Sequence, residues 1–289
     1  MRKDAWTDHL LKAVSRSFYL TIKWLPEEMR PGISVGYLLA RATDSVADSS
    51  AAPLPRRVEA LQMMQAAIEG ETPPELMPLL RGEVEAENVS EAELLARFDE
   101  ALAALRALPV QQAAEVRETL RTIICGQLWD LSFFEEHAQV LTDEQTRQYT
   151  YRVAGCVGRF WTRLGLCTMG ARFCAPETAD LMSEAGVRYG CGLQLVNILR
   201  DRDEDAARGR SYLCSEPRVW ADRAERYLRD GLDYSRRLKT YRLRFATMLP
   251  ALLGLKTLAA LRRAQPGMRV KIPRRAVYAS LLRALLAAL

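Results

Sequence analysis

Apolar residues recur three and four positions apart along most of this chain, which gathers them on one face of a helix with 3.6 residues per turn. Period-two alternation, the mark of a half-buried strand, is missing. Ala, Leu, Arg and Glu, all good helix formers, fill the intervening positions. Proline and glycine interrupt the pattern at "LPEEMRPG" (25–32), "AAPLP" (51–55), "GETPPELMP" (70–78), Pro109, "CAPET" (174–178), "RGR" (208–210) and "AQPGMRVKIP" (264–273). Between these breaks the periodicity predicts about ten helices, among them 33–49, 110–137, 143–170, 177–206, 217–239 and 243–264. No break resembles a long linker and no repeat period is visible. The expectation is an all-α fold, one helical bundle over 1–289.

Two of these helices carry a polar stripe on an otherwise apolar surface. In "ISVGYLLARATDSVADS" (33–49), Tyr37, Arg41, Asp44 and Asp48 follow one another at spacings of four, three and four, which places them on one face. In "QLVNILRDRDEDAARGR" (194–210), Gln194, Asn197, Asp201 and Asp205 do the same at three, four and four. Carboxylates four apart on a helix repel one another, and both pairs fall near a helix C-terminus, where the macrodipole is already negative. A cation relieves both. A single pair of this kind is commonly a solvated face; two copies, each beside an arginine and among apolar residues, point to a metal. Oxygen ligands without His or Cys suit Mg²⁺, which binds through one or two carboxylates plus substrate phosphates. Arg16, Arg41, Arg200, Arg208 and Arg210 are the residue type that grips phosphate oxygens bidentately. A di-iron carboxylate bundle would need Glu-x-x-His pairs, which this sequence does not contain.

Composition narrows the setting. With 49% hydrophobic and 27% charged residues the chain is an ordered globular protein. Its six cysteines form no CxxC pair and there are only two histidines, which argues against zinc and for reduced thiols in the cytoplasm. "MRKDAWTDHLLKAVSRSF" carries acids and no long apolar run, unlike a signal peptide. Charge is uneven: from residue 206 on, nineteen Lys/Arg face five Asp/Glu, a net of +14, so the first 205 residues carry −9 of the overall +5. A basic half can meet a polyphosphate substrate or anionic lipid, or be a solvated surface. No basic and aromatic pattern or motif for nucleic acid is visible, so no nucleic-acid partner is expected. The final "AVYASLLRALLAAL" is short, apolar and interrupted by Arg283; it either packs on the body as an amphipathic helix or touches a membrane surface peripherally. Nothing indicates an obligate protein partner.

The stretches "SRSF" (15–18), "GYLLARATDSVAD" (36–48), "YTYRVAGCVG" (149–158) and "GLQLVNILRDRDEDAARGRSYL" (192–213) resemble, in order and across most of the chain, the squalene/phytoene synthases, which are head-to-head prenyltransferases. "LPALLGLKTLAAL" (249–261) and "VKIPRRAVY" (270–278) are more similar to the C-terminal segments of squalene synthases than of phytoene synthases. The resemblance implies an isoprenoid-synthase helical fold with a central cavity and two farnesyl diphosphates as substrates. It implies that Asp44, Asp48, Asp201 and Asp205 hold Mg²⁺ against the diphosphates, and that Ser15, Arg16, Ser17, Arg41, Arg200 and Arg210 bind the diphosphates directly. Tyr37, Tyr149, Gln194 and Asn197 would border the reacting carbons, and Lys271 with Arg274 would approach NADPH. "VAGCVG" would supply small residues where a prenyl tail passes. Tyr149 would either relay a proton or stabilise a cation, while Gln194 and Asn197 also read as ordinary interhelical hydrogen bonders.

The implied reaction is ionisation of one farnesyl diphosphate, attack by the other, proton loss to presqualene diphosphate, and NADPH-dependent reduction to squalene. Endings at presqualene diphosphate, hydroxysqualene, dehydrosqualene or phytoene need no NADPH, and a non-catalytic assembly factor of the same fold is a remoter reading. Two positions depart from the family pattern. Ala47 stands where many relatives carry an acid, and Pro273 interrupts the basic cluster after Lys271.

Overall fold

The computed structural model describes residues 5–15, 18–49, 52–84, 86, 88–136, 140–265 and 270–288, and these are helical with no strand. The all-α class expected from the periodicity is therefore what the structure shows. Contacts gather the chain into two compact units, Met1–Lys23 with Glu27–Ser132, and Trp24–Pro26 with Phe133–Leu289.

The first unit holds α1 (Ala5–Ser15), α2 (Phe18–Lys23), α3 (Arg30–Asp48), α4 (Leu54–Glu69), α5 (Leu76–Gly82), α6 (Val89–Ala96), α7 (Phe98–Arg106) and most of α8 (Val110–Glu136). Helix α3 is its hub, packed by α1, α2, α4, α6 and α7. Pro31 sits in its first turn, where a missing N–H leaves no hydrogen bond unmade. From there Ile33, Val35, Leu38, Leu39, Ala42 and Val46 are buried, and each large one stabilises the fold by roughly 1.5–3 kcal/mol. The short α6 is started by Asn88, whose Oδ1 accepts from the Glu91 N–H at 3.1 Å.

The second unit holds α9 (Asp143–Thr150), a π turn (Tyr151–Gly155), α10 (Cys156–Met169), α11 (Ala179–Ala207), α12 (Pro217–Arg237), α13 (Tyr241–Leu261) and α14 (Arg274–Ala288). Thr142 and Gln145 close a capping box that fixes the start of α9. The helix expected over 143–170 runs without a break from Asp143 to Met169, its Tyr151–Gly155 turn widened to a π turn. Around that turn the chain runs backbone to backbone against α11: a Cβ on Gly158 would lie 1.8 Å from the Gly186 carbonyl, and one on Gly190 2.2 Å from that of Ala154. The glycines of "VAGCVG" let these two helices touch. Beyond this seam, Tyr189, Leu195 and Val196 of α11 pack with Trp220, Ala224 and Leu228 of α12 and with Ala251 and Leu258 of α13. Helix α13 is long and apolar enough to cross a membrane, yet most of it is buried, flanked by α12 and α14, as a core helix that is apolar all round.

Candidate active site

The first stripe is set by α3, and two other helices of the same unit brace its Asp44 and Arg41. Asp44 Oδ1 accepts from Gln127 Nε2 of α8 at 2.7 Å, and the same amide donates to Thr43 Oγ1 at 3.2 Å. Gln127 is buried, and its Oε1 has no hydrogen-bond partner among the described residues. Burial, then the neighbouring Asp48, pushes the Asp44 carboxyl up to about 7, while Arg41 and Gln127 pull it down. Asp48, one turn on, is exposed.

Arg41, one turn before Asp44, donates from Nη2 to Glu91 of α6, which is only 4% exposed. Glu91 also accepts from Asn88 Nδ2 at 2.8 Å and from Ser45 Oγ at 3.1 Å. Burial alone would raise the Glu91 carboxyl, but Asn88, Arg41 and Ser45 together hold it below the usual range. The Arg41 guanidinium would lose basicity by burial, and Glu91 more than restores it. Arg41 Nε is buried without a partner among the described residues. Tyr37, a turn earlier, donates to the Val14 carbonyl at 3.4 Å. The buried hydroxyl of Ser15 donates to the Leu11 carbonyl of its own helix. Arg16 and Ser17 lie outside the described residues.

The second stripe, on α11, is built differently. Arg200 Nε donates to Asp201 Oδ1 at 2.7 Å, and that carboxylate strengthens the protonation of the guanidinium. Asn197 Nδ2 reaches Gln194 Oε1 at 3.4 Å, so these two amides pair along their own helix. Asn197 and Arg200 are exposed, and Gln194, Asp201 and Asp205 are partly so. Helix α11 stops at Gly209, whose φ of +76° only glycine adopts without strain. The Arg210 N–H closes back on the Asp205 carbonyl at 2.9 Å.

The next residues are tied to α9. Thr146 Oγ1 donates to the Tyr212 carbonyl at 2.6 Å, and the Tyr212 ring stacks on Tyr149 at 4.8 Å between centroids and meets Phe134 edge-on at 5.3 Å. Tyr149 therefore belongs to an aromatic cluster. A cavity of about 800 Å³ on this unit is lined by Arg200, Arg202, Arg218, Arg262, Asp222 and Val270, with Arg262 bonded to Asp222 at 2.7 Å. Lys271 follows Val270, and Arg274 opens α14; both are exposed.

Among the described residues no cluster of three or more His, Cys, Asp or Glu could hold a metal alone. The donor set fits Mg²⁺ shared with phosphate oxygens. Asp44 and Asp48 offer oxygen only, and Arg41 Nε, an orphaned donor one turn away, lacks an acceptor such as a phosphate supplies. Glu91, Gln127 and Tyr212 were not among the candidates drawn from the sequence. Tyr212 stands within a stretch that carried the resemblance, whereas Gln127 lies outside those stretches and Glu91 has no signal beyond its helix-capping position.

The squalene/phytoene synthase family model matches residues 11–216. The presqualene diphosphate synthase of Rhodopseudomonas palustris is 32% identical over 216 residues, 71% of this chain and 60% of that protein. The squalene synthase of Schizosaccharomyces pombe is 27% identical over 291 residues, 87% of this chain and 58% of that one. Other relatives are phytoene synthases, and this chain spans from 32% to 60% of the length of the first curated relatives it matches. A TcSQS structure in complex with the ligand BPH1237 superposes with a TM-score of 0.78 at 20% identity, covering 98% of this chain and 87% of that one, which establishes a shared fold.

Proposed function

This chain belongs to the squalene/phytoene synthase family, and on that premise we propose that it is a squalene synthase: it joins two farnesyl diphosphates head to head and reduces the product with NADPH. The observation that carries the reading is the Asp44–Asp48 pair beside Arg41 on α3, an oxygen-rich and cation-seeking face with an orphaned guanidinium donor.

In the proposed reaction Asp44, Asp48, Asp201 and Asp205 hold Mg²⁺, which when bound neutralises diphosphate charge. Arg41, Arg200 and Arg210 bind the diphosphates and stabilise the charge that develops on the departing one. The C1 to oxygen bond of one farnesyl diphosphate breaks, leaving an allylic cation. The double bond of the second attacks that carbon, and loss of a proton closes the cyclopropane of presqualene diphosphate. The stacked Tyr149–Tyr212 pair offers aromatic faces of the kind that stabilise such a cation. A second ionisation and rearrangement follow; Lys271 and Arg274 would hold NADPH, which when bound would supply the hydride that ends them.

A second reading ends at presqualene diphosphate, favoured by the 32% identity to the Rhodopseudomonas palustris enzyme. The deciding experiment incubates the purified chain with farnesyl diphosphate and Mg²⁺, with and without NADPH, and identifies extracted lipids by mass spectrometry. Squalene appearing only with NADPH is the expected result. Presqualene diphosphate, hydroxysqualene, dehydrosqualene or phytoene regardless of NADPH would replace it with the matching ending.

A further inference from the structure

Helix α14 is inside out. Its fully buried residues are small, Ser280, Ala284 and Ala288, of which the two alanines pack with Phe245, Met248, Leu249 and Leu252 of α13, joined by the partly buried Leu281. Outward it shows its large apolar residues: Tyr278 is 67% exposed, Leu282 58%, Leu285 39% and Leu286 63%. A helix that serves only to complete a core does the opposite. At 100° per residue these four side chains fall within an arc of about 100°, one continuous stripe and not scattered exposure.

Charge says what kind of surface the stripe meets. Lys271, Arg274, Arg275 and Arg283 are all exposed, the first three at the N-terminal approach to α14 and the last beside the stripe. No Asp or Glu follows Asp233 in the sequence, while thirteen Lys and Arg do. An apolar face rimmed by cations, in an acid-free segment, is complementary to a surface with anionic phosphates over hydrocarbon. A protein partner or a second copy of this chain has to cover the same stripe without being repelled by those cations.

We propose that the outward face of α14 lies flat on an anionic phospholipid surface, with Tyr278, Leu282, Leu285 and Leu286 entering the acyl boundary and the flanking cations meeting headgroup phosphates. Helix α13, although apolar, takes no part because its surface is spent on the core. The contact is peripheral, and it does not depend on the reaction proposed above.

The test sediments the purified full chain, without substrate or metal, with phosphatidylcholine vesicles that do or do not contain phosphatidylglycerol. The expected result is pelleting with the anionic vesicles, weakened by salt and reduced roughly tenfold or more in Leu282→Gln/Leu286→Gln and in Arg275→Glu/Arg283→Glu. All four positions are exposed, so both variants should keep the thermal transition of the parent, which circular dichroism checks. Failure to pellet with anionic vesicles, equal pelleting with neutral ones, or unchanged pelleting of the Leu282→Gln/Leu286→Gln protein would overturn the proposal. So would a dimer in light scattering that this variant turns into a monomer while vesicle binding is absent. Because no turnover is measured, these outcomes are separate from the failure of the proposed activity.

Discussion

The two aspartate stripes share a spacing and differ in nearly everything around it. On α3, Asp44 and Arg41 are held by Gln127 and Glu91, residues distant in sequence, and both partners are buried. On α11, Asp201 is paired with its immediate neighbour Arg200 on a largely open surface, and Asn197 leans on Gln194 three residues away. The first stripe is fixed by tertiary structure before any ligand arrives. The second neutralises itself locally and can exchange those partners at little cost, because exposed pairs contribute only about 0–1 kcal/mol. One pattern in the sequence thus encodes one stripe braced by distant residues and another paired along its own helix.

The comparison can be broken or sharpened by substitution. The largest expected effect is on turnover: Asp44→Asn and Asp201→Asn should each lower kcat by roughly a thousandfold or more in a farnesyl diphosphate assay with an intact fold. Normal activity in either would remove that stripe from the metal assignment. Stability should then separate the two stripes. Glu91→Ala removes the charged hydrogen-bond partner of the half-buried Arg41 and should cost about 1.5–3 kcal/mol in urea denaturation. Arg200→Ala, on the open helix, should cost less than about 1 kcal/mol. Equal losses would mean the stripes are not built differently.

Gln127→Leu tests the brace itself. Removing the amide that orients Asp44 should weaken Mg²⁺ binding by roughly tenfold in calorimetry, with Gln127→Glu failing to restore it because it adds a like charge. A smaller effect is on pH. With its folded value near 7, above the ordinary carboxylate value, Asp44 favours the folded state while protonated. That contribution is fully present below about pH 4 and is lost as pH rises through about 7. In metal-free protein Asp44→Asn should flatten this decline by on the order of 1 kcal/mol, read from melting temperatures across pH, whereas Asp201→Asn should leave it in place.

The helices were legible because their apolar period is strong. The predicted 217–239 and 177–206 match Pro217–Arg237 and Ala179–Ala207 closely. The π turn at Tyr151–Gly155 was not legible, and neither was the close approach to α11 beside it, a contact made by glycines far along the chain. The stripes themselves could be read because side chains three and four apart must share a face. Their partners could not. Nothing local marks Glu91 as the counter-ion of Arg41, fifty residues away, or Gln127 as the brace of Asp44.

The glycine seam between α10 and α11 sets a boundary for anyone who would redesign this protein. Positions 158, 186 and 190 have no room for even a methyl group, because the atoms in the way are mostly main-chain carbonyls that cannot swing aside. Alanine at any of them forces two helices apart and should cost about 1–3 kcal/mol or more. Any redesign of the scaffold must therefore leave that joint alone and vary the larger side chains around it, treating the seam as its fixed hinge-pin.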